Sequence, residues 1–286
     1  MIPAADLTAF GAHRPNSFVG AMLALTRRLP ANRLGLRLSM PLRRLAINAL
    51  DGAPVDTEIW SQRLRLYPGA NGCEKNALFT PQLFDRFELD VIAAAVDASM
   101  KAGRPFVFVD LGANVGLYSL FVASRAGEAA RILAIEPQPG IVDRLTYNVG
   151  LNPGARITIL RAAIADAEGE MELVIDPRDS GGTHLNKSGV AASDANAVRV
   201  PCRPLLAALD QAQILEIDAL KVDIEGAEDI ALAPFFRDAP QARLPKLLLI
   251  EDRPEDWSVD LYDLLRERGY LLEQRLRQNC VFRRAG

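Results

Sequence analysis

Pro105-Phe-Val-Phe-Val-Asp110-Leu-Gly-Ala-Asn-Val-Gly116 runs from a β-branched and aromatic segment into a glycine-bearing turn, and Leu117, Leu120, Phe121 and Ala123 follow at helical spacing. The stretch reads as strand, turn and helix, with an acid at the end of the strand. The alternation continues downstream. Arg131-Ile-Leu-Ala-Ile-Glu136 reads as a second strand closed by Pro137 and Pro139, a helix follows from about 140 to 151, and Ile157 to Leu160 reads as a third strand. Further strands are predicted at Ala219 to Asp223 and Lys246 to Glu251, then a helix from about 258 to 268 ending at Gly269, and Tyr270 to Phe282 suits a closing hairpin. Strands and helices in turn are the pattern of a doubly wound α/β domain with a mainly parallel sheet.

In the turn after the first strand, glycines let the backbone approach a ligand and the helix N-terminus offers free N–H groups. Glu136 closes the next strand, 20 residues after Gly116. A carboxylate there is able to accept hydrogen bonds from both hydroxyls of a ribose. A dinucleotide fingerprint aligned on Gly112 requires glycines where this chain has Asn114 and Leu117, which weighs against NAD or FAD. The pattern acid-x-G-x-x-x-G suits a ligand with an ammonium to face Asp110 and no phosphate to be repelled. S-adenosylmethionine is such a ligand.

DLGANVGLYS (110–119), AIEPQP (134–139), Asn148 and Asn152, AAIADAEGEMEL (162–173), LKVDIEGAE (220–228) and LLLIE (247–251) occur in the order seen in FkbM-type methyltransferases, which the sequence resembles over roughly 100–286. The resemblance implies a Rossmann-like class I methyltransferase fold: a seven-stranded, mainly parallel sheet with an antiparallel last strand. It implies S-adenosylmethionine as cofactor and O-methylation of a sugar, glycan or secondary-metabolite hydroxyl, so the expected partner is a small-molecule or glycan acceptor. Gly112, Asn114 and Gly116 would line the methionine moiety and Glu136 would hold the ribose. Many class I enzymes carry an aspartate against adenine after the third strand, whereas this chain has Ala162-Ala163. Adenine would then rest on backbone and packing around Ala163, with Asp166 as a weaker candidate.

Asp223 and Glu225 end the strand that the implied sheet sets beside the first one. Open α/β sheets bind ligands outside those strand ends, which makes the two carboxylates candidate bases, with Glu228 and Glu251 as further members of an acidic rim. Clustered carboxylates raise one another's pKa, and they are also groups that a divalent cation accepts. His184, in the loop 176–197 rich in Ser, Gly, Asn and Asp, is the other candidate base. Segments with period-2 alternation, Glu170 to Ile175 and Val198 to Cys202, flank that loop. His13 earns no role, and Trp60 and Trp257 read as packing residues. A module that binds the cofactor without chemistry and a nucleotide-dependent oxidoreductase are the alternative functions.

Composition sets outer limits. Of 286 residues 49% are hydrophobic, too many for a disordered chain, while the charge-free runs 15–26 and 111–124 are too short for a membrane span. Cys73, Cys202 and Cys280 form no CxxC pair, so neither a disulfide framework nor a thiolate zinc site is expected and a reducing, cytoplasmic setting fits. Net charge is -3, yet residues 1–50 carry seven arginines against Asp6 alone and the remainder stands at -9. That balance, with no Asn/Asp-Pro-Pro-aromatic motif, argues against a nucleic-acid substrate. Phe18 to Leu25 is followed by Arg27 and Arg28 rather than by a small-residue cleavage site, which disfavours a secretory signal. The Arg-rich lead has three further readings: a helical cap with a solvated basic face, a segment resembling a mitochondrial transit peptide, and a surface for an anionic membrane or acidic partner. Residues 1–100, helical at first and then a hairpin around Ile59 to Tyr67, read as an extension or lid on a methyltransferase domain at 101–286.

Overall fold

The computed structural model describes residues 5–175, 184–185, 197–276 and 278–285. Helices α1 (Ser17–Arg28) and α2 (Arg33–Leu50) start on asparagine caps, with Asn16 accepting from the Val19 N–H and Asn32 from those of Leu34 and Gly35. A hairpin of β1 (Val55–Ile59) and β2 (Gln62–Leu66) follows, then α3 (Gly72–Phe79) and α4 (Arg86–Lys101). The strand-helix alternation runs β3 (Phe106–Leu111), α5 (Leu117–Ala126), β4 (Ala130–Ile135), α6 (Pro139–Gly150) and β5 (Ile157–Leu160). A smaller sheet is built from β6 (Ala163–Ile164), β7 (Gly169–Val174), β8 (His184–Leu185) and β9 (Ala197–Arg203). The chain closes with α7 (Leu205–Gln211), β10 (Ala219–Val222), α8 (Glu228–Asp238), β11 (Leu247–Glu251), α9 (Leu261–Glu267), β12 (Tyr270–Arg275) and β13 (Asn279–Arg284). The segments 176–183 and 186–196 of the polar loop lie outside the described residues.

The main sheet has seven strands in the order β12-β13-β11-β10-β3-β4-β5. β13 runs antiparallel to β11 and β12, whereas β3, β4, β5, β10 and β11 pair in parallel. The expected sheet, antiparallel last strand included, is therefore present. Its two faces follow from the period of two along each strand. Phe106 and Phe108 face one hydrophobic cluster with Leu120 of α5, and Val109 and Leu111 face the other with Leu232 and Phe236 of α8. The first cluster also takes Val19, Ile59, Leu78 and Val96, so residues before the sheet share its core.

Arg65 fastens the N-terminal strand of chain. Its buried guanidinium meets Asp56 (Nε to Oδ1 2.7 Å) and donates to the carbonyls of Asp6, Thr8 and Ala9 at 2.7, 2.9 and 3.1 Å. Asp56 in turn accepts from the Gly11 and His13 N–H groups, and Tyr147 of α6 donates its hydroxyl to Thr8 O at 2.7 Å. His13, given no role by its sequence, lies 2.7 Å from Asp6. Asn148 accepts from Arg65 N and Asn152 from Arg63 N, which ties β2 to α6.

Candidate active site

The strand order reverses between β3 and β10, and the carboxyl ends of these strands open into a cleft of about 960 Å³ that includes its open mouth. Gly112 begins its floor. At φ +80° and with the space for its Cβ occupied by the Asp223 carbonyl oxygen at 1.8 Å, that position admits only glycine. Gly112 and Ala113 donate their N–H groups to Ile135 O, and Asp223 donates to Leu111 O, so the turn is held between β4 and β10. Asn114 takes the left-handed region at φ +50°, its side chain accepting from Asn71. Gly116, at φ +90° and close to Leu145, starts α5 behind the lining residues.

Glu136 lines the cleft one residue past β4. Its two oxygens accept one backbone N–H each, from Gln138 and Asn114, both at 3.0 Å. A carboxylate accepts about four hydrogen bonds, so capacity for two hydroxyls remains. Burial pushes its pKa to about 7, against the two N–H donors that favour the charged form. Asp110 is fully buried and outside the lining; its Oδ2 accepts from Ser119 N and Oγ at 3.1 and 2.7 Å, and Oδ1 has no hydrogen-bond partner among the described residues. Ala163 lines the cleft, while Asp166 is exposed outside it.

Asp223 and Glu225 both reach the cleft, Asp223 more than a third exposed and Glu225 at φ +55° with Arg253 at 3.5 Å. Glu228 turns away: it accepts from the N–H groups of Ile224 and Gly226 and from Trp257 Nε1. Glu251 Oε1 lies 3.1 Å from Arg253 Nε, and Glu251 is not part of the lining. Trp60 packs against Phe84 and Phe121. Backbone pairing puts His184 opposite Val174, and its side chain lies outside the described residues.

Three lining residues escaped the sequence reading. Lys221 is buried among apolar neighbours of β10, its ammonium 3.0 Å from Asp223 and 4.7 Å from the centre of the Tyr118 ring. Burial works against its charge, but Asp223 and Asp110 outweigh it and hold the pKa above the ordinary lysine value. Tyr118 donates to Asp85 at 2.9 Å, and burial, then Glu88, lifts Asp85 to about 6. The signal for Lys221 was a charge inside the run Ala219 to Val222, two residues before Asp223 and so on the same strand face. Tyr118 and Asp85 carried none. No group of three or more His, Cys, Asp or Glu able to hold a metal ion occurs among the described residues.

The family model described as Methyltransferase FkbM domain matches residues 110–272, from the acid of the first turn to the hairpin. The chain belongs to the FkbM methyltransferase family. Its seven-stranded α/β sheet is thus the Rossmann-like fold expected of a class I methyltransferase. Two features of the cleft are compatible with S-adenosylmethionine as cofactor: Glu136, with acceptor capacity to spare, and the turn of Gly112, Ala113 and Asn114 along its floor.

Curated relatives of this FkbM chain include the AMB antimetabolite synthetase AmbE of Pseudomonas aeruginosa, 30% identical over 63% of this chain and 10% of that one. Methyltransferase sdnD of Sordaria araneosa is 33% identical over 46% of this chain and 61% of its own. The hexuronic acid methyltransferase AglP of Haloferax volcanii is 27% identical over 50% and 54%. The chain thus spans between a tenth and about three fifths of the length of these relatives.

Proposed function

We propose that this FkbM protein is an O-methyltransferase that transfers the methyl group of S-adenosylmethionine to a hydroxyl of a sugar, glycan or secondary metabolite. The observation that carries the reading is the joining of Glu136, with its spare acceptor capacity, and the carboxylates of Asp223 and Glu225 in one cleft. The name of AglP, a hexuronic acid methyltransferase, supports an acceptor of the sugar class, and that of sdnD supports methyl transfer.

When bound, S-adenosylmethionine supplies a methyl group already activated on a sulfonium. The chain must orient the acceptor oxygen and take its proton. Complete transfer to an ordinary carboxylate before attack would cost about 16 kcal/mol, from a gap of ~12 pKa units. The proton therefore passes late, as the new C–O bond forms. Asp223 is our base, with Glu225 beside it. Lys221 keeps its proton and acts as a fixed positive charge that holds Asp223 and favours negative charge on the acceptor oxygen. Asp85 is a second base, because a carboxyl near 6 at the cleft wall is closer to the working pH. A divalent cation is a further candidate at the carboxylates of Asp223 and Glu225, and His184 at the loop.

The test is Asp223→Asn with Glu225→Gln, measured for cofactor binding by calorimetry and for methyl transfer to a panel of glycans. The double variant is expected to bind S-adenosylmethionine as the parent does and to lose transfer at least about a hundredfold. Unchanged transfer sinks the base assignment. NADH fluorescence enhanced by the chain would instead favour an oxidoreductase.

A further inference from the structure

Helix α2 packs Ile47 and Leu50 against the core near its C-terminal end and leaves most of its other large apolar side chains outside. Its buried residues are Gly35, Ser39 and Ala46, all small, while Leu34, Leu36, Leu38, Met40 and Leu45 are 43–60% exposed. Glycine at 35 is required by that packing, since a Cβ would stand 1.9 Å from Pro30 O. At 100° per residue, Leu34, Leu38 and Leu45 fall within about 40° of one another on the helix. Phe18 and Leu25, seven residues apart on α1, are also exposed, at 48% and 51%. Seven of the thirteen most exposed large apolar side chains among the described residues thus lie on these two helices.

The charge is equally one-sided. Residues 17–50 contain six arginines and no acid. Arg27 and Arg43 are occupied, donating to Leu78 O and Asn76 Oδ1, but Arg28, Arg33, Arg37 and Arg44 are exposed. Arg33, Arg37 and Arg44 form their own stripe about 100° from Leu34, Leu38 and Leu45. A leucine stripe flanked by an arginine stripe is what a helix lying in a lipid headgroup layer presents.

We propose that α1 and α2 dock this protein on an anionic lipid bilayer, with Leu34, Leu38 and Leu45 of α2 and Phe18 and Leu25 of α1 in the headgroup boundary and the exposed arginines on lipid phosphates. Charge decides against a symmetric pairing of two copies through this face, because that would set arginines against arginines. No helix among the described residues is long and apolar enough to cross a membrane, so the contact is one of lying on the surface. The docked face is near the cleft. α3 joins them: Cys73 at its start lines the cleft and Leu78, about 8 Å further along the helix, receives Arg27.

The experiment is flotation of the full chain with vesicles of phosphatidylcholine alone and of phosphatidylcholine mixed with phosphatidylglycerol. The parent is expected to float with the mixed vesicles only, and less as salt is raised. Arg37→Glu with Arg44→Glu is expected to weaken binding at least about tenfold. Leu38→Ser with Leu45→Ser, which leaves the charge unchanged, is expected to do the same. Both variants should melt and bind S-adenosylmethionine as the parent does, since these side chains are exposed. Failure of the parent to float with mixed vesicles overturns the proposal, whatever the variants do. So does flotation that the leucine variant leaves intact. A dimer broken by the leucine variant, with no vesicle binding, assigns the face to a second copy and also overturns it.

Discussion

Lys221 lies level with Asp110 on the adjacent parallel strand, yet its ammonium is bonded to Asp223, two residues on, at 3.0 Å. One cation thus serves a carboxylate wholly inside the fold and another at the open cleft. Burial raises the Asp110 pKa while Lys221 lowers it. The strand end that leads into the Gly112 turn and the proposed base share a counterion.

Lys221→Met removes it. Asp110 and Asp223 are then left in mutual repulsion, and the chain is expected to lose about 2–4 kcal/mol of stability. Urea denaturation of the two proteins checks this; equal midpoints would mean that the ion pair contributes nothing.

Gly112→Ala forces a methyl group against Asp223 O and asks alanine to hold φ +80°. The ends of β3 and β10 must part, at a cost of about 2–4 kcal/mol. Calorimetric titration with S-adenosylmethionine should detect no binding, and parent-like affinity would show that the turn gives way elsewhere.

Glu136 gives a pH test of cofactor binding. With its pKa near 7, the carboxylate that accepts from hydroxyls is the minor form on the acid side and the major one on the alkaline side. Affinity for S-adenosylmethionine should rise as pH passes through that value. Glu136→Gln should flatten the rise and weaken alkaline binding by about tenfold to a hundredfold, the worth of one to two hydrogen bonds. A pH-independent affinity in the parent speaks against the ribose role.

Glu251 predicts a pH effect on stability. Burial, then Asp223 and Glu225, lift its carboxyl from 4.5 to about 8 despite Arg253. Between those values the folded chain holds a proton that the unfolded chain has released, so stability falls as pH rises across the window and levels off above it. Glu251→Gln removes this slope. Its melting advantage over the parent should grow from the acid to the alkaline end, reaching on the order of 2 kcal/mol. Parallel curves would refute the assignment.

Much of the fold is legible because the strands carry their own punctuation. Phe106–Leu111 ends in a glycine turn and Ala130–Ile135 runs into two prolines, and each was located to within a residue or two. α3 is not legible in the sequence, since a helix that starts on Gly72 and buries Glu74 shows no apolar stripe. Its existence depends on distant groups: Glu74 accepts from Tyr67 N at 2.6 Å and ion-pairs with Arg144. The cleft follows the same division. Gly112, Asn114 and Glu136 are local to their turns and could be read there, and Asp223 was found from the strand end. Tyr118 and Asp85 meet only because α4 and α5 pack side by side, a relation that no single stretch of sequence encodes.

The Arg65 clamp also fixes an order in time. Residues 6–9 leave the ribosome well before their partners, and Thr8 waits for Tyr147, 139 positions later. At typical rates of synthesis that interval is on the order of ten seconds. Residues 6–9 are therefore fastened only after the hairpin and α6 exist to receive them.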